Sequence, residues 1–270
     1  MKNDLSPFYR EVLTSLMARY PWLTVDSEIL VVCGGPFDRE VLQSIGFSNV
    51  TISNLDERIS QSGINPFEPY KWSYQDLETL SYEDGAFDVV IVHSGLHHLR
   101  CPQRGINEMY RVARHGIIGF EPNRNFYTAL GVKLGVGQEY EDAAVYHNGC
   151  RWGGVANTDV PNYVVRFNAS EIRRVVQTYC PVAPHKIDFF FTTRVSGRVE
   201  SLRSKGFAGK LTVKLAGLLS RAGRFPFLAN NMAFCVRKPN LPDDLFPWLE
   251  MKEGTVGCNK PYLETKYQGA

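Results

Sequence analysis

The sequence predicts an α/β fold built on a mostly parallel sheet, and three observations carry that prediction. Short apolar runs rich in branched residues recur along the chain. Segments with helical spacing alternate with them. Glycines or acids follow directly where several of the runs end. Strands alternating with helices demand crossover connections, and these lay the strands parallel and the helices on the sheet faces.

The elements follow in order. Phe8, Val12, Leu13, Leu16 and Met17 recur at helical spacing, so residues 7–20 are expected to form an amphipathic helix lying on the sheet. Ile29–Val32 reads as a buried strand that ends in Cys33-Gly34-Gly35-Pro36. A helix is expected from about Arg39 to Ile45, closed by Gly46. Asn49–Ser53 reads as the next strand. Phe87–Val92 (FDVVIV) is a near-continuous apolar run of the kind buried on both faces. Ile106, Met109, Tyr110 and Ala113 place a helix over 106–113, and Gly116–Phe120 is a further strand. Beyond Glu121 the pattern is irregular for about 40 residues, a length that marks a functional insertion more than a connection. A helix resumes at Ser170–Tyr179 with Ser170 as expected N-cap, and strands follow at His185–Thr193 and Met232–Val236. The tail from about residue 239 carries prolines and glycines and little periodicity. Without repeats or a linker, residues 1–270 are expected to form one domain, with insertions at about 124–165 and 196–228.

Composition narrows the function classes. Thirty Lys and Arg against 28 Asp and Glu leave a formal charge of +2, which gives no general pull toward nucleic acid. None of the six cysteines is paired as CxxC, so no metal site is expected from them. The N-terminal residues lack the apolar core of a signal peptide, and no stretch approaches about 18 apolar residues. A cytoplasmic setting is therefore expected. From Arg194 to Arg224 there are eight basic residues and one acid, Glu200. Lys210, Lys214 and Arg221 fall opposite Leu211, Leu215, Leu218 and Leu219. Residues 206–224 thus read either as a lid helix or as a peripheral membrane or lipid contact.

In an open parallel sheet, ligands bind beyond the carboxyl ends of the strands. Three features stand there. Cys33-Gly34-Gly35 lets backbone approach a ligand closely. Asp56, 21 positions after Gly35, suits ribose hydroxyls. Asp76 precedes FDVVIV, where a carboxylate can meet an adenine amino group. A Gly-Gly after a strand is ordinarily a tight turn and a lone loop acid is ordinarily solvated, so the specificity lies in the ordered set.

That set resembles the class I S-adenosylmethionine-dependent methyltransferases, in particular a small-molecule, type 11-like branch with a histidine pair after its fourth strand. The matching pieces are ILVVCGG, NVTISNLD, DLETLSYEDGAFDVVIVHSGLHHL, INEMYRVAR and GIIGFEPN, within residues 29–123. The resemblance implies a Rossmann-like, mostly parallel seven-stranded sheet with helices on both faces, and S-adenosylmethionine as cofactor. It implies that Cys33, Gly34 and Gly35 line the methionine and ribose part, that Asp56 holds the ribose hydroxyls, that Asp76 and Leu77 frame the adenine, and that His93 and Ser94 lie beside the sulfonium. The chain departs from the family at Val31 and Val32, where an acid is usual in the first strand, and at Phe37, where a third glycine is usual.

Methyl transfer needs an aligned nucleophile and often a base. His97 and His147 are the candidate bases, while His98-Leu99 is expected to pack under the following helix. Glu121 either binds substrate or caps its loop, and Tyr146, Arg151 and Trp152 are candidate substrate contacts from the insertion. The expected activity is O-methylation of a hydroxyl on a sugar, lipid or natural-product intermediate. The alternatives are a non-catalytic cofactor-binding module and a C- or N-methyltransferase of a lipid-like substrate. A dehydrogenase would want GxGxxG where the chain has CGGPFD. A base-modifying enzyme would want an Asn/Asp-Pro-Pro-Tyr/Phe motif, which the sequence lacks.

Overall fold

Ile29–Val32 forms β1, buried at all four positions. Burying such side chains contributes about 1.5–3 kcal/mol each, which places this run at the centre of a sheet. The computed structural model describes residues 5–135, 137–194 and 225–268, with 204, 206, 210, 213 and 214 as isolated positions. The other strands of the main sheet are β2 (Val50–Asn54), β3 (Lys71–Tyr74), β4 (Phe87–His93), β5 (Ala113–Pro122), β6 (Lys186–Thr192) and β7 (Asn231–Arg237). Their order is β3-β2-β1-β4-β5-β7-β6, with β7 antiparallel to both neighbours and the rest parallel. The sheet is therefore Rossmann-like and seven-stranded. Strand order reverses between β1 and β4, which opens a crevice beyond their carboxyl ends.

The period of two along each strand divides the core. Ile29, Val31, Val89, Ile91 and Ile118 face one layer, against α1 (Ser6–Arg19) and α2 (Pro36–Ile45). Leu30, Val32, Val90, Val92 and Ile117 face the other, against α4 (Pro102–Val112) and α7 (Ala169–Tyr179). The chain also forms α3 (Glu57–Ser62), after β2, and α5 (Phe126–Lys133) and α6 (Asp142–His147), after β5. The tail forms a hairpin of β8 (Leu249–Lys252) and β9 (Thr255–Cys258), followed by α8 (Lys260–Tyr267).

Several boundaries differ from the sequence reading for local reasons. α2 begins at Pro36, whose fixed φ suits the first helical turn, and ends as expected at Gly46, with φ +100°. Asn168, not Ser170, caps α7, because its side chain accepts from the Glu171 amide while Glu171 reaches back to the Asn168 amide. The hairpin turns at Glu253 and Gly254, both with positive φ, as a tight two-residue turn requires. The basic run at 206–224 lies outside the described residues except for isolated positions.

Tyr9 of α1 is fully buried, and its hydroxyl donates to Asp38 Oδ1 at 3.2 Å. Asp38 Oδ2 accepts the Gly35 amide at 2.9 Å. Burial raises the Asp38 carboxyl from 3.8 to about 6, against the pull of these bonds. A folded-state value above the unfolded one means stability present below pH 4 and lost as pH rises through 6. Asp38→Asn keeps an acceptor for Gly35 and carries no charge. Thermal unfolding across pH 4–7 should therefore show the native protein losing up to about 3 kcal/mol relative to Asp38→Asn. Parallel pH dependence of the two proteins would contradict this.

Candidate functional site

A cavity of about 260 Å³ lies at the carboxyl ends of β1, β2 and β4, where strand order reverses. Its first wall is the turn after β1. Cys33 adopts φ +54°, the Gly34 amide donates to Ser53 O at 2.9 Å, and Asn54 Nδ2 donates to Gly34 O at 2.8 Å. The turn is thus bonded to β2, and Cys33 faces the cavity. A Cβ on Gly95 would stand 2.6 Å from Cys33 Cβ, so the turns after β1 and β4 touch only because residue 95 is glycine.

Asp56 forms the second wall and caps α3. Its Oδ1 accepts the Arg58 amide at 3.1 Å and Arg58 Nε at 2.7 Å, while Oδ2 accepts Arg58 Nη2 at 2.5 Å. These bonds hold the carboxyl below its usual range, so it is ionised at neutral pH. The Arg58 guanidinium stacks on the Trp152 ring, 3.9 Å from its centroid. A second tie links the insertion to the residue after β2, since Asn157 Nδ2 donates to Leu55 O at 2.9 Å. Residues Gly153, Gly154, Ala156 and Asn157 close the cavity from above.

The third wall is the segment after β4. Ser94 turns at φ +51°, and its amide donates to Phe120 O at 2.8 Å. Glu121, fully buried at the end of β5, accepts the Gly95 and Leu96 amides on Oε1 at 2.9 and 2.8 Å. Its Oε2 stands 2.8 Å from His97 Nδ1. Burial pushes His97 down, but the charge of Glu121 and the bonds to Glu121 and Glu141 outweigh it and hold the ring up at about 10. His97 Nε2 and His98 Nε2 both face Glu141 Oε2, at 3.6 and 3.3 Å. Hydrogen bonding to His97 keeps Glu141 ionised, at about 2, whereas burial lowers His98 and leaves it neutral.

The structure brings some predicted residues together and leaves others apart. Cys33, Asp56, Leu77 and Ser94 line the cavity. Asp76 does not; its Oδ1 accepts the Glu78 amide, and Gln75 and Leu77 take the wall instead. Gly34 and Gly35 stand behind Cys33, with both amides already bonded. His93 is withdrawn into a ring cluster, stacked 5.3 Å from Tyr9, with Phe37 at 4.7 Å and Phe120 at 5.9 Å, and burial holds it at about 4. Phe37, standing where the family has glycine, packs in that cluster. Glu121 is a loop cap. Leu99 packs on α4 as expected, but His98 faces the cavity. Tyr146, His147 and Arg151 are exposed and outside the cavity lining, while Trp152 reaches the Asp56 wall through Arg58. Sequence reasoning missed Arg58, Gln75, Glu141, Asn157 and Asn162. Only the Asp56-x-Arg58 spacing carried a local signal, because an acid that caps a helix start can hold an arginine two residues on.

The donor set fits a nucleoside. One ionised carboxylate, Asp56, stands in a wall where ribose hydroxyls would find an acceptor, and Leu55, Leu77 and Leu99 give apolar walls that would suit a base. At the β1 end Val31 and Val32 are buried core, and the Asp38 carboxyl beyond them is already bonded to Gly35 and Tyr9. Residues 31–118 match the methyltransferase domain family. The ubiquinone/menaquinone biosynthesis C-methyltransferase of Roseobacter denitrificans is 28% identical over 109 residues, which cover 37% of this chain and 44% of that enzyme. The chain thus spans less than half the length of that relative. Among solved structures, a Bacillus halodurans methyltransferase is 14% identical over 84% of this chain and 99% of its own, with a TM-score of 0.47. The magnesium protoporphyrin IX methyltransferase of Synechocystis, solved with S-adenosylhomocysteine bound, is 12% identical over 86% of this chain and 84% of its own, with a TM-score of 0.45.

Titration calorimetry checks the assignment of Asp56. Asp56→Ala should weaken S-adenosylhomocysteine binding by about 1.5–3 kcal/mol, the scale of hydrogen bonds to a charged group, with the fold retained. Unchanged affinity would remove Asp56 from the site.

Proposed function

We propose that this chain, whose residues 31–118 form a class I S-adenosylmethionine-dependent methyltransferase domain, methylates a hydroxyl oxygen of a small molecule. A sugar, a lipid or a natural-product intermediate is the acceptor class. The observation that carries this reading is the pairing of His98 and Glu141 at the edge of the cavity. S-adenosylmethionine supplies an electrophilic methyl group, and a hydroxyl needs help to attack it. A neutral imidazole beside an ionised carboxylate orients a hydroxyl and draws on its proton. The buried Glu121 holds His97 behind this pair. His147, exposed and in ring contact with Tyr146, fits a base less well.

One observation favours a second reading, transfer to carbon on a lipid-like acceptor. α5, within the insertion, buries none of its residues, and Phe126, Tyr127, Leu130 and Leu134 stand exposed there, with Phe225 and Phe227 also exposed. Such a surface suits a long apolar acceptor or a lipid layer. The Roseobacter relative is described as a C-methyltransferase of quinone biosynthesis. Its acceptor is thus the first carbon substrate to try.

Transfer of a labelled methyl group from S-adenosylmethionine, with the product examined by carbon NMR, separates methoxy from carbon-bound methyl. For a hydroxyl acceptor, Glu141→Gln should lower kcat by about 100-fold or more. Its S-adenosylhomocysteine affinity should stay within about threefold, or about 0.6 kcal/mol, because Glu141 is not part of the cavity lining. Equal loss of both, or a carbon-bound product, would overturn the hydroxyl reading. Neither transfer nor binding of S-adenosylhomocysteine would leave a non-catalytic module.

A further inference from the structure

We propose that His97, His98 and Glu141 form a binding site for a divalent transition-metal ion. The argument starts from distances. One ring nitrogen each of His97 and His98 and a Glu141 carboxylate oxygen lie within 4.8 Å of one another. Glu141 Oε2 is 3.6 Å from His97 Nε2 and 3.3 Å from His98 Nε2. Donors in a tetrahedral shell with bonds of about 2.0–2.2 Å stand about 3.3–3.6 Å apart. The carboxylate therefore already holds that spacing from both imidazoles, and an ion enters with little rearrangement.

The surroundings fix the orientation of the donors. Glu121 stands 2.8 Å from His97 Nδ1, which keeps a proton on Nδ1 and turns Nε2 toward Glu141. A carboxylate behind the remote nitrogen is the usual support of a metal-binding histidine. Asn162 Nδ2 bonds the His97 carbonyl at 3.1 Å and Glu141 Oε2 at 3.4 Å, and the Glu141 amide donates to Asn162 O at 3.0 Å. The insertion thus delivers Glu141 to the histidine pair through backbone bonds.

The ligand types choose the ion. Two imidazoles and one carboxylate suit zinc, cobalt, iron or nickel, whereas magnesium and calcium prefer all-oxygen shells. Two of the three donors are only half-buried, and His98 lines the cavity. A fourth coordination position therefore opens toward the cavity, for water or for an oxygen of a small molecule. That the oxygen belongs to a methyl acceptor rests on the reading above; the ion site itself does not. Coordination would explain how a hydroxyl is made acidic there, because a bound divalent ion lowers the pKa of a ligating oxygen.

Calorimetry with zinc chloride on chelator-stripped protein, together with visible absorption of the cobalt-loaded protein, tests the site. We expect one equivalent of zinc and the absorption bands of four- or five-coordinate cobalt. His98→Ala and Glu141→Gln should each weaken zinc binding by about tenfold or more, or about 1.4 kcal/mol. His115→Gln, remote on β5 beside Asp88, should not. Circular dichroism of the metal-free variants shows that they remain folded. Absence of zinc binding by the native protein, or zinc binding unaltered in folded His98→Ala, would leave an ion pair only and overturn the proposal. S-adenosylhomocysteine binding measured on the same samples separates this outcome from failure of the methyltransferase reading.

Discussion

The buried carboxylate of Glu121 is the interaction on which the site depends. It sits at the end of a central strand, fully out of water, and accepts from two backbone amides and faces one imidazole nitrogen. A charge in that position is tolerated only when its oxygens are satisfied, and removal of a partner from a buried pair costs about 3–5 kcal/mol. The carboxylate therefore dictates the path of Gly95 and Leu96. That path sends the chain across the top of the sheet, turns Ser94 and His98 toward the cavity, and leaves His97 behind them. Gly95 lets the same turn rest on Cys33. The two strand ends that define the crevice are thus held together by one acid and one missing side chain.

The second constraint is the insertion after β5. It does not lie away from the domain as an appendage. Asn157 bonds Leu55 just after β2, Trp152 stacks on the arginine that holds Asp56, and Glu141 meets the histidine pair. These contacts roof the crevice and set a carboxylate behind His98 at its edge. The same residues that shape the binding site also complete its polar chemistry.

Much of this was legible in the sequence, and the rest was hidden for identifiable reasons. β1, β4 and β5 announce themselves because strands buried on both faces must be apolar throughout. β3, Lys71–Tyr74, is an edge strand with two exposed positions and no branched residue, so nothing in KWSY marks it. Asp56 was legible from its distance to the first glycine turn. Asp76 was misplaced by one residue in effect, since the loop turns its carboxylate onto the Glu78 amide and shows Gln75 and Leu77 to the cavity. His93 was read as a cofactor neighbour, but Tyr9 and Phe37, from two different helices, enclose it. Glu141 could not be found from spacing, because it joins the histidines only through the fold of an irregular segment. Asn168 was legible in retrospect, because Asn-x-x-Glu before a helix is a capping box.

The most direct test of the account is the protonation pattern of His97, read from nitrogen chemical shifts of its ring across pH 5–9. If Glu121 Oε2 accepts from His97 as the geometry requires, Nδ1 of His97 must carry a proton at every pH in that range. The account predicts a protonated Nδ1 throughout, and loss of this state in Glu121→Gln. A bare Nδ1 in the native protein would mean that His97 does not donate to Glu121, and it would contradict the account.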